Sequence, residues 1–247
     1  MRPFFAALIF GAIILPGQEP ERPRSAKAKA VMQEMGHGEG KLKPGDLAPD
    51  FNLRRVKSKR KVRLSGFRNR KPVALVFGSY TCPPFRSQVG ALNALAKKFE
   101  KEVSFVLVYV REAHPTDGLQ APRNEKEGIL LESAKTYEQK DSHATSCART
   151  LGIEFATVVD GMDNAVEQAY TAWPDRYYVI AKDGRIAAKG KPGPAGFKAP
   201  EIESAIVKLL GRRPPDSDRP SATARLHSAI PSRDRQGAFL AAEEPGR

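Results

Sequence analysis

From about residue 45 to 210 the apolar residues come in short blocks whose spacing changes from block to block. In "GDLAPDFNL" (45–53) Phe51 and Leu53 alternate with polar neighbours, and in "KVRLSGF" (61–67) Val62 and Leu64 do the same. Alternation sends successive side chains to opposite faces, so these segments predict an N-terminal β-hairpin. "PVALVFGS" (72–79) and "VSFVLVYV" (103–110) are unbroken apolar runs, the pattern of strands buried on both faces. Between them Val89, Leu92, Leu95, Ala96 and Phe99 recur at helical spacing and predict a helix over 85–101. A turn-rich segment and an aperiodic loop run on to about Leu130. Helical spacing returns over 133–151, "FATVV" (155–159) predicts a third buried strand, and 163–173 a short helix. Residues 176–190 read as a hairpin turning at Lys182-Asp183-Gly184, and 200–210 as a closing amphipathic helix.

The order ββ–βαβ–α–β–α–ββ–α has a parallel βαβ half followed by a hairpin and a last helix. It predicts an α/β, thioredoxin-like fold: a central mixed sheet flanked by helices, with an N-terminal β-hairpin extension. The strand at 72–79 should be central and parallel to 103–110. Of the 247 residues, 40% are hydrophobic and 28% charged, which suits one globular domain, placed at 45–210, with extensions. Ahead of it, Arg2 precedes an apolar run from Phe4 to Leu15. The run is shorter than the about 20 residues a bilayer-spanning helix needs, and it fits a signal peptide or short anchor over 1–17. Residues 18–44 read as a linker with one helical patch near 28–35. Residues 211–247, rich in Arg, Pro, Ser and Asp, are expected to be a disordered tail. The expected location is exported, periplasmic or otherwise extracytoplasmic, with anchoring by the N-terminal segment left open.

Charge changes the picture at one place. The formal net charge is +13, and from Arg54 to Lys71 there are ten Lys/Arg and no Asp/Glu. Such a stripe attracts anionic partners or simply solvates a hairpin. No nucleic-acid-binding module accompanies it, so nucleic acid is not expected as a partner and the solvated hairpin is the plainer reading. The two cysteines, Cys82 and Cys147, exclude a disulfide-rich scaffold and a cysteine-built zinc site.

Cys82 stands where a buried strand gives way to a helix, the position at which α/β folds place reactive groups. Unpaired N–H groups and the helix dipole there favour a thiolate, so its pKa is expected to fall one to two units below the free value of about 8.5. Pro83 and Pro84 suit a first helical turn, where no N–H is needed. Ser79 and Thr81 bring hydroxyls to the same turn. A dithiol site would need a second cysteine at position 85, which is Phe85. A peroxiredoxin site would have proline at position 75, which is Leu75, although Ser79 matches its hydroxyl position. Cys147 falls on a helical pattern and reads as a buried filler, packed away from Cys82 and unbridged to it.

The strings "FGSYTCPPF" and "YVREAHPTDG" resemble the iodothyronine deiodinases, whose active site runs glycine, serine, a variable residue, threonine, selenocysteine, two prolines and phenylalanine. Cys82 occupies the selenocysteine position. The resemblance continues through "DGMDNAVEQAY", "DRYYVIAKDGRI" and "KGKPGPAGF" and covers about Pro49–Leu210; the front hairpin is similar to peroxiredoxins as well. It implies that Cys82 attacks a halogen or another soft electrophile, with Glu112 and His114 as the proton-donating pair and Ser79 and Thr81 beside them. Tyr109 and Arg176 are implied as substrate-binding residues. Three departures stand out. Sulfur replaces selenium, Tyr80 takes a place where animal members often have cysteine, and "SAKTYE" (133–138) lacks their second ligand-binding histidine.

The function expected is that of a thiol-dependent oxidoreductase acting on a small-molecule substrate. No bound cofactor and no metal are expected, and an external thiol or a thioredoxin-like protein serves as reductant. A thiol peroxidase or disulfide reductase is the first alternative, a non-catalytic exported binding module the second. Peripheral membrane association and a homodimer both stay open.

Overall fold

A computed structural model of the chain describes residues 38–193 and 197–212. The segment 1–17, the helical patch near 28–35 and the tail from 213 onward lie outside the described residues. Strands β1 (Asn52–Arg55) and β2 (Lys61–Arg63) form the expected hairpin, with Leu53 opposite Val62. There follow β3 (Val73–Gly78), helix α1 (Pro83–Lys98), β4 (Ser104–Tyr109), α2 (Pro122–Lys126), α3 (Tyr137–Thr150), β5 (Ala156–Val159), α4 (Ala165–Tyr170), β6 (Arg176–Ile180), β7 (Ile186–Lys189) and α5 (Ala199–Leu209). All seven strands join one mixed sheet in the order β2-β1-β5-β4-β3-β6-β7. As the apolar runs predict, β3 lies inside the sheet and parallel to β4, and β4 is parallel to β5. Antiparallel β6 and β7 close one side and the β1–β2 hairpin the other.

Period-two alternation divides the core. Ala74, Val76, Phe105, Leu107, Tyr109, Tyr177 and Val179 face one side, where Val89, Leu92, Leu95 and Phe99 of α1, Ala144 and Cys147 of α3, and Ile202 and Ile206 of α5 cover them. Leu75, Phe77, Val106, Val108, Tyr178 and Ile180 face the other side, against Ala48, Phe51, Leu64 and Tyr170. Each fully buried aliphatic or aromatic side chain contributes roughly 1.5–3 kcal/mol, so the two layers carry the fold. The β6–β7 turn is the expected one: the Gly184 N–H donates to the Ala181 carbonyl at 2.9 Å, with Gly184 at φ 86°.

Three local expectations are corrected. Helix α3 begins at Tyr137, not Ser133, because Thr136 caps it: its hydroxyl accepts from the Gln139 N–H at 3.2 Å while Gln139 Oε1 accepts from the Thr136 N–H at 3.2 Å. The loop to Leu130 contains the short helix α2, with Pro122 in its first turn. The linker ends earlier than residue 44. Gly38 and Glu39 give their carbonyls to the Arg176 guanidinium at 2.7 and 3.0 Å, and the Gly45 N–H reaches the Ile186 carbonyl at 2.8 Å, so 38–44 pack onto the β6–β7 side of the domain.

Candidate active site

Parallel pairing of β3, β4 and β5 puts the carboxyl ends of all three together, and the chemistry collects there. Cys82 is the N-cap of α1, and its helix carries proline at both of the first two positions. Those prolines have no N–H, so the first free amide of the helix is that of Phe85. Gly78, at the end of β3, makes room for the Phe85 ring: a Cβ on Gly78 would lie 2.5 Å from it.

The turn that carries Cys82 is pinned from four directions. Its own N–H donates to the Ser79 carbonyl at 3.2 Å. Arg86, buried, donates to the Tyr80 carbonyl at 2.7 Å and pairs with Glu127 at 2.6 Å. Asn124 of α2 donates to the Thr81 carbonyl at 2.9 Å. The loop after β4 closes the fourth side, because Ser79 Oγ accepts from the Ala113 N–H at 3.1 Å and Thr81 Oγ1 accepts from the His114 N–H at 3.0 Å. Ser79 and Thr81 therefore hold the 112–114 loop over the cysteine turn.

Glu112 is the hub. Its carboxylate is buried, and Oε2 accepts from the Thr81 N–H at 2.9 Å and the Thr81 hydroxyl at 2.5 Å. Its Oε1 accepts from the Tyr109 hydroxyl and lies 3.8 Å from Nδ1 of His143. Sequence reasoning had no route to His143: it sits within α3, and only the phase of that helix against the sheet turns it to the site. The His114 ring faces its own loop, with Nδ1 2.9 Å from the Leu119 carbonyl. A carbonyl only accepts, so Nδ1 donates in this contact and Nε2 is left free of it.

Cys82, Glu112, His114, His143, Lys140, Trp173, Met162, Leu119 and Val110 border one cavity of about 690 Å³ with chiefly apolar walls. Lys140, buried on α3, spends its ammonium on the Gly161 carbonyl and Asn164 Oδ1, each at 2.9 Å. Trp173 is held by the Arg111 guanidinium 4.7 Å from its ring centroid.

Two expected substrate-binding residues are not brought to this cavity. Arg176 is buried on the sheet face shared with Tyr178 and Ile180, opposite the face of Cys82, and its donors go to Gly38 and Glu39. Alternation decides this: Tyr177 and Val179 take the Cys82 face. Tyr109 has the right face but lies beneath the site, fully buried, where its hydroxyl bridges the Tyr80 N–H, at 3.1 Å, and Glu112. Burial first, and then Glu112, push its phenol well above the ordinary range.

The expected acidity of Cys82 is also corrected. The side chain is 1% exposed, and burial, followed by the Asp175 carboxylate, pushes the thiol far above its ordinary value. The Phe85 N–H and the Arg86 guanidinium act in the opposite sense and do not overcome it. With two of the three leading amides replaced by prolines, the helix terminus offers little to an anion. Burial thus favours the protonated thiol. Asp175 is itself buried, with no hydrogen-bond partner for either oxygen among the described residues, and burial raises it to about 7 against the pull of Arg176. Cys147 is free and buried as expected, but it does not pack away from the site: it shares the core layer of Cys82 and Tyr109. Among the described residues no group of His, Cys, Asp and Glu has the arrangement of a metal site.

Comparison with solved structures gives the fold. A putative thiol:disulfide interchange protein DsbE from Chlorobium tepidum superposes with a TM-score of 0.50 at 21% identity, covering 69% of this chain and all of that one. Curated relatives include thyroxine 5-deiodinase of Bos taurus, 34% identical over 146 residues, which is 57% of this chain and 45% of that protein. Type I iodothyronine deiodinase of Xenopus laevis is 32% identical over 141 residues, or 56% of this chain and 52% of that protein. The chain thus spans about half the length of the curated relatives it matches. The model of one protein family, iodothyronine deiodinase, matches residues 25–210, a span that takes in the whole sheet and every residue of the site. With its thioredoxin-like fold and this match, the chain belongs to the iodothyronine deiodinase family.

Proposed function

We propose that the chain is a thiol-dependent oxidoreductase in which Cys82 removes a halogen from an aromatic substrate. The observation that carries this reading is the cavity. Its 690 Å³ is room for a substrate of drug size, far more than a peroxide needs, and its lining includes Cys82, His114, His143 and Trp173. In the first step the Cys82 sulfur bonds to the halogen, the carbon–halogen bond breaks, and the ring carbon takes the proton that leaves the thiol. The products are the reduced arene and a sulfenyl halide. An external thiol then displaces halide to give a mixed disulfide and a proton, and a second thiol releases Cys82 and a disulfide. The cycle needs no bound cofactor; two electrons come from a small thiol or a thioredoxin-like protein.

Because the thiolate is the nucleophile, the proton of the Cys82 thiol must move as the sulfur attacks. His143 and His114 are the imidazoles that line the cavity, and an imidazole can both give and take a proton. Glu112, fixed by Thr81 and Tyr109, stands 3.8 Å from Nδ1 of His143, and this carboxylate–imidazole pair is the proposed path for the proton. Export through the Phe4–Leu15 run places the reaction outside the cytoplasm, a point that fractionation of the native host reads directly.

The test is iodide release from iodothyronines by purified chain with dithiothreitol, beside Cys82→Ser and His143→Gln. Release that depends on Cys82 and falls in His143→Gln is expected. Consumption of hydrogen peroxide or of disulfides without iodide release would move the function to a thiol peroxidase or disulfide reductase. No Cys82-dependent turnover of any of the three would leave a binding module.

A further inference from the structure

The parallel strands have a second pole. Their amino ends, Val73, Ser104 and Ala156, lie together at the end of the sheet opposite Cys82. The pairing of Arg55 with Val158, followed by a bond from the Val56 N–H to the Thr157 carbonyl, brings the β1–β2 turn to this end. The pairing of Val73 with Ile180 brings the β6–β7 turn there as well. The connection before β3 lies against that turn, since the Asn69 N–H donates to the Lys182 carbonyl at 2.8 Å. The basic stripe is therefore not the face of one hairpin. Lys57, Lys59, Arg60, Arg68, Arg70 and Lys182, from three separate loops, are all exposed at one pole. The carboxylates of Glu102 and Asp183 at the same end are already paired, with Arg212 and Arg185, while Glu100 and Glu154 share the lining of one concavity with Lys97. This concavity of about 490 Å³, floored by Phe67, Phe105 and Phe155, opens beside them.

We infer that this pole is a docking surface for an anionic lipid bilayer, seated so that the Cys82 cavity opens away from the membrane toward soluble substrate and reductant. Charges carried on three loops around a shallow concavity form a broad array, which matches a plane of headgroups. Among the described residues no helix or free-standing ribbon extends from the pole to enter a nucleic-acid groove, and Phe67, Phe105 and Phe155 are buried or half-buried rather than exposed as a base-stacking platform. The chain also begins with the apolar run Phe4–Leu15. An apolar segment joined to a polybasic patch is the combination that makes surface attachment stable.

The test is co-sedimentation of the full chain with vesicles of phosphatidylcholine alone and with phosphatidylglycerol mixed in. Binding to the anionic vesicles that falls with added salt is expected. The triple variant Lys59→Glu, Arg60→Glu, Arg70→Glu should lose that binding by roughly a hundredfold while keeping the wild-type circular dichroism, melting transition and Cys82 alkylation rate. Equal binding to both vesicle types, or full binding by the folded variant, would overturn the proposal and assign attachment to the apolar run. Tighter binding to an oligonucleotide than to the anionic vesicles in the same buffer would overturn it in favour of a nucleic acid.

Discussion

Burial and a neighbouring carboxylate both oppose a thiolate, the first by removing water and the second by its charge. Burial is the larger of the two at Cys82, and Asp175 supplies the charge. Asp175→Asn removes the charge while nearly keeping the shape, so the pH midpoint for alkylation of Cys82 by iodoacetamide should move down; an unchanged midpoint would show that burial alone sets the thiol. The same residue gives a pH signature in stability. Its value rises from 3.8 to about 7 on folding, so between those limits the folded chain keeps a proton that the unfolded chain has released. Stability should therefore fall as pH rises from 3.8 to about 7 and stay reduced above it, and Asp175→Asn should flatten that fall in urea titrations at either end of the window. Thr81 sets a different balance. Thr81→Val takes one donor from Glu112 and the acceptor from the His114 N–H, leaving buried polar groups unpaired at a cost of about 1–3 kcal/mol, while Thr81→Ser should stay close to wild type. Of these residues, Cys82 was legible from its strand–turn–helix junction, and Glu112 and His114 only through the resemblance of "YVREAHPTDG" to the deiodinases. Arg176 was not, since a shift of one residue in a strand reverses the face. Asp175 and His143 gave no local sign at all.

Elements were legible in proportion to how much of their stability is local. Strands β3 and β4 and helix α1 have long apolar patterns that match their buried faces, and they lie where the periodicity puts them. Helix α2 has five residues and one buried side chain, Asn124, whose partner is the Thr81 carbonyl. No pattern within five residues could announce a helix held by a turn so far away in sequence. Helix α3 is intermediate: its capping box is written in Thr136 and Gln139, but the polar surface of its first turns blurs the period. The junction of β3 and α1 is the element on which the site depends most, and Gly78 tests it. A Cβ there meets the Phe85 ring at 2.5 Å, and that ring is packed between the sheet and Phe197, its centroid 6.5 Å away. Gly78→Ala should cost about 1–3 kcal/mol by overpacking and raise the alkylation rate of Cys82 as the helix start is pushed outward. A denaturation midpoint and alkylation rate both equal to wild type would mean that the ring moves aside freely.

At the scale of the molecule, topology sorts the chain into two poles, with the chemistry at the carboxyl ends of the parallel strands and unpaired basic charge at their amino ends. Cys147, the second cysteine of the sequence, is the candidate for an internal partner of Cys82. Cys147 lies in the same core layer, on the inner face of α3, yet burial and then Glu112 push its thiol well above the ordinary range. Unlike Cys82 it does not line the cavity, so no group of the site stands ready to take its proton, and a thiol that keeps its proton is a poor attacking group for a sulfenyl intermediate. The reductant must then come through the cavity, from outside the chain. Cys147→Ala should lose about 0.5–1.5 kcal/mol, the usual cost of deleting one small buried group, and leave turnover with dithiothreitol unchanged. Intact mass after one equivalent of peroxide without reductant decides the point. Oxidation confined to Cys82, trapped equally by dimedone in wild type and Cys147→Ala, is the expected result. Loss of both thiols in wild type without an adduct would reveal a Cys82–Cys147 bridge, require α3 to open toward the site during the cycle, and make Cys147 the internal reductant.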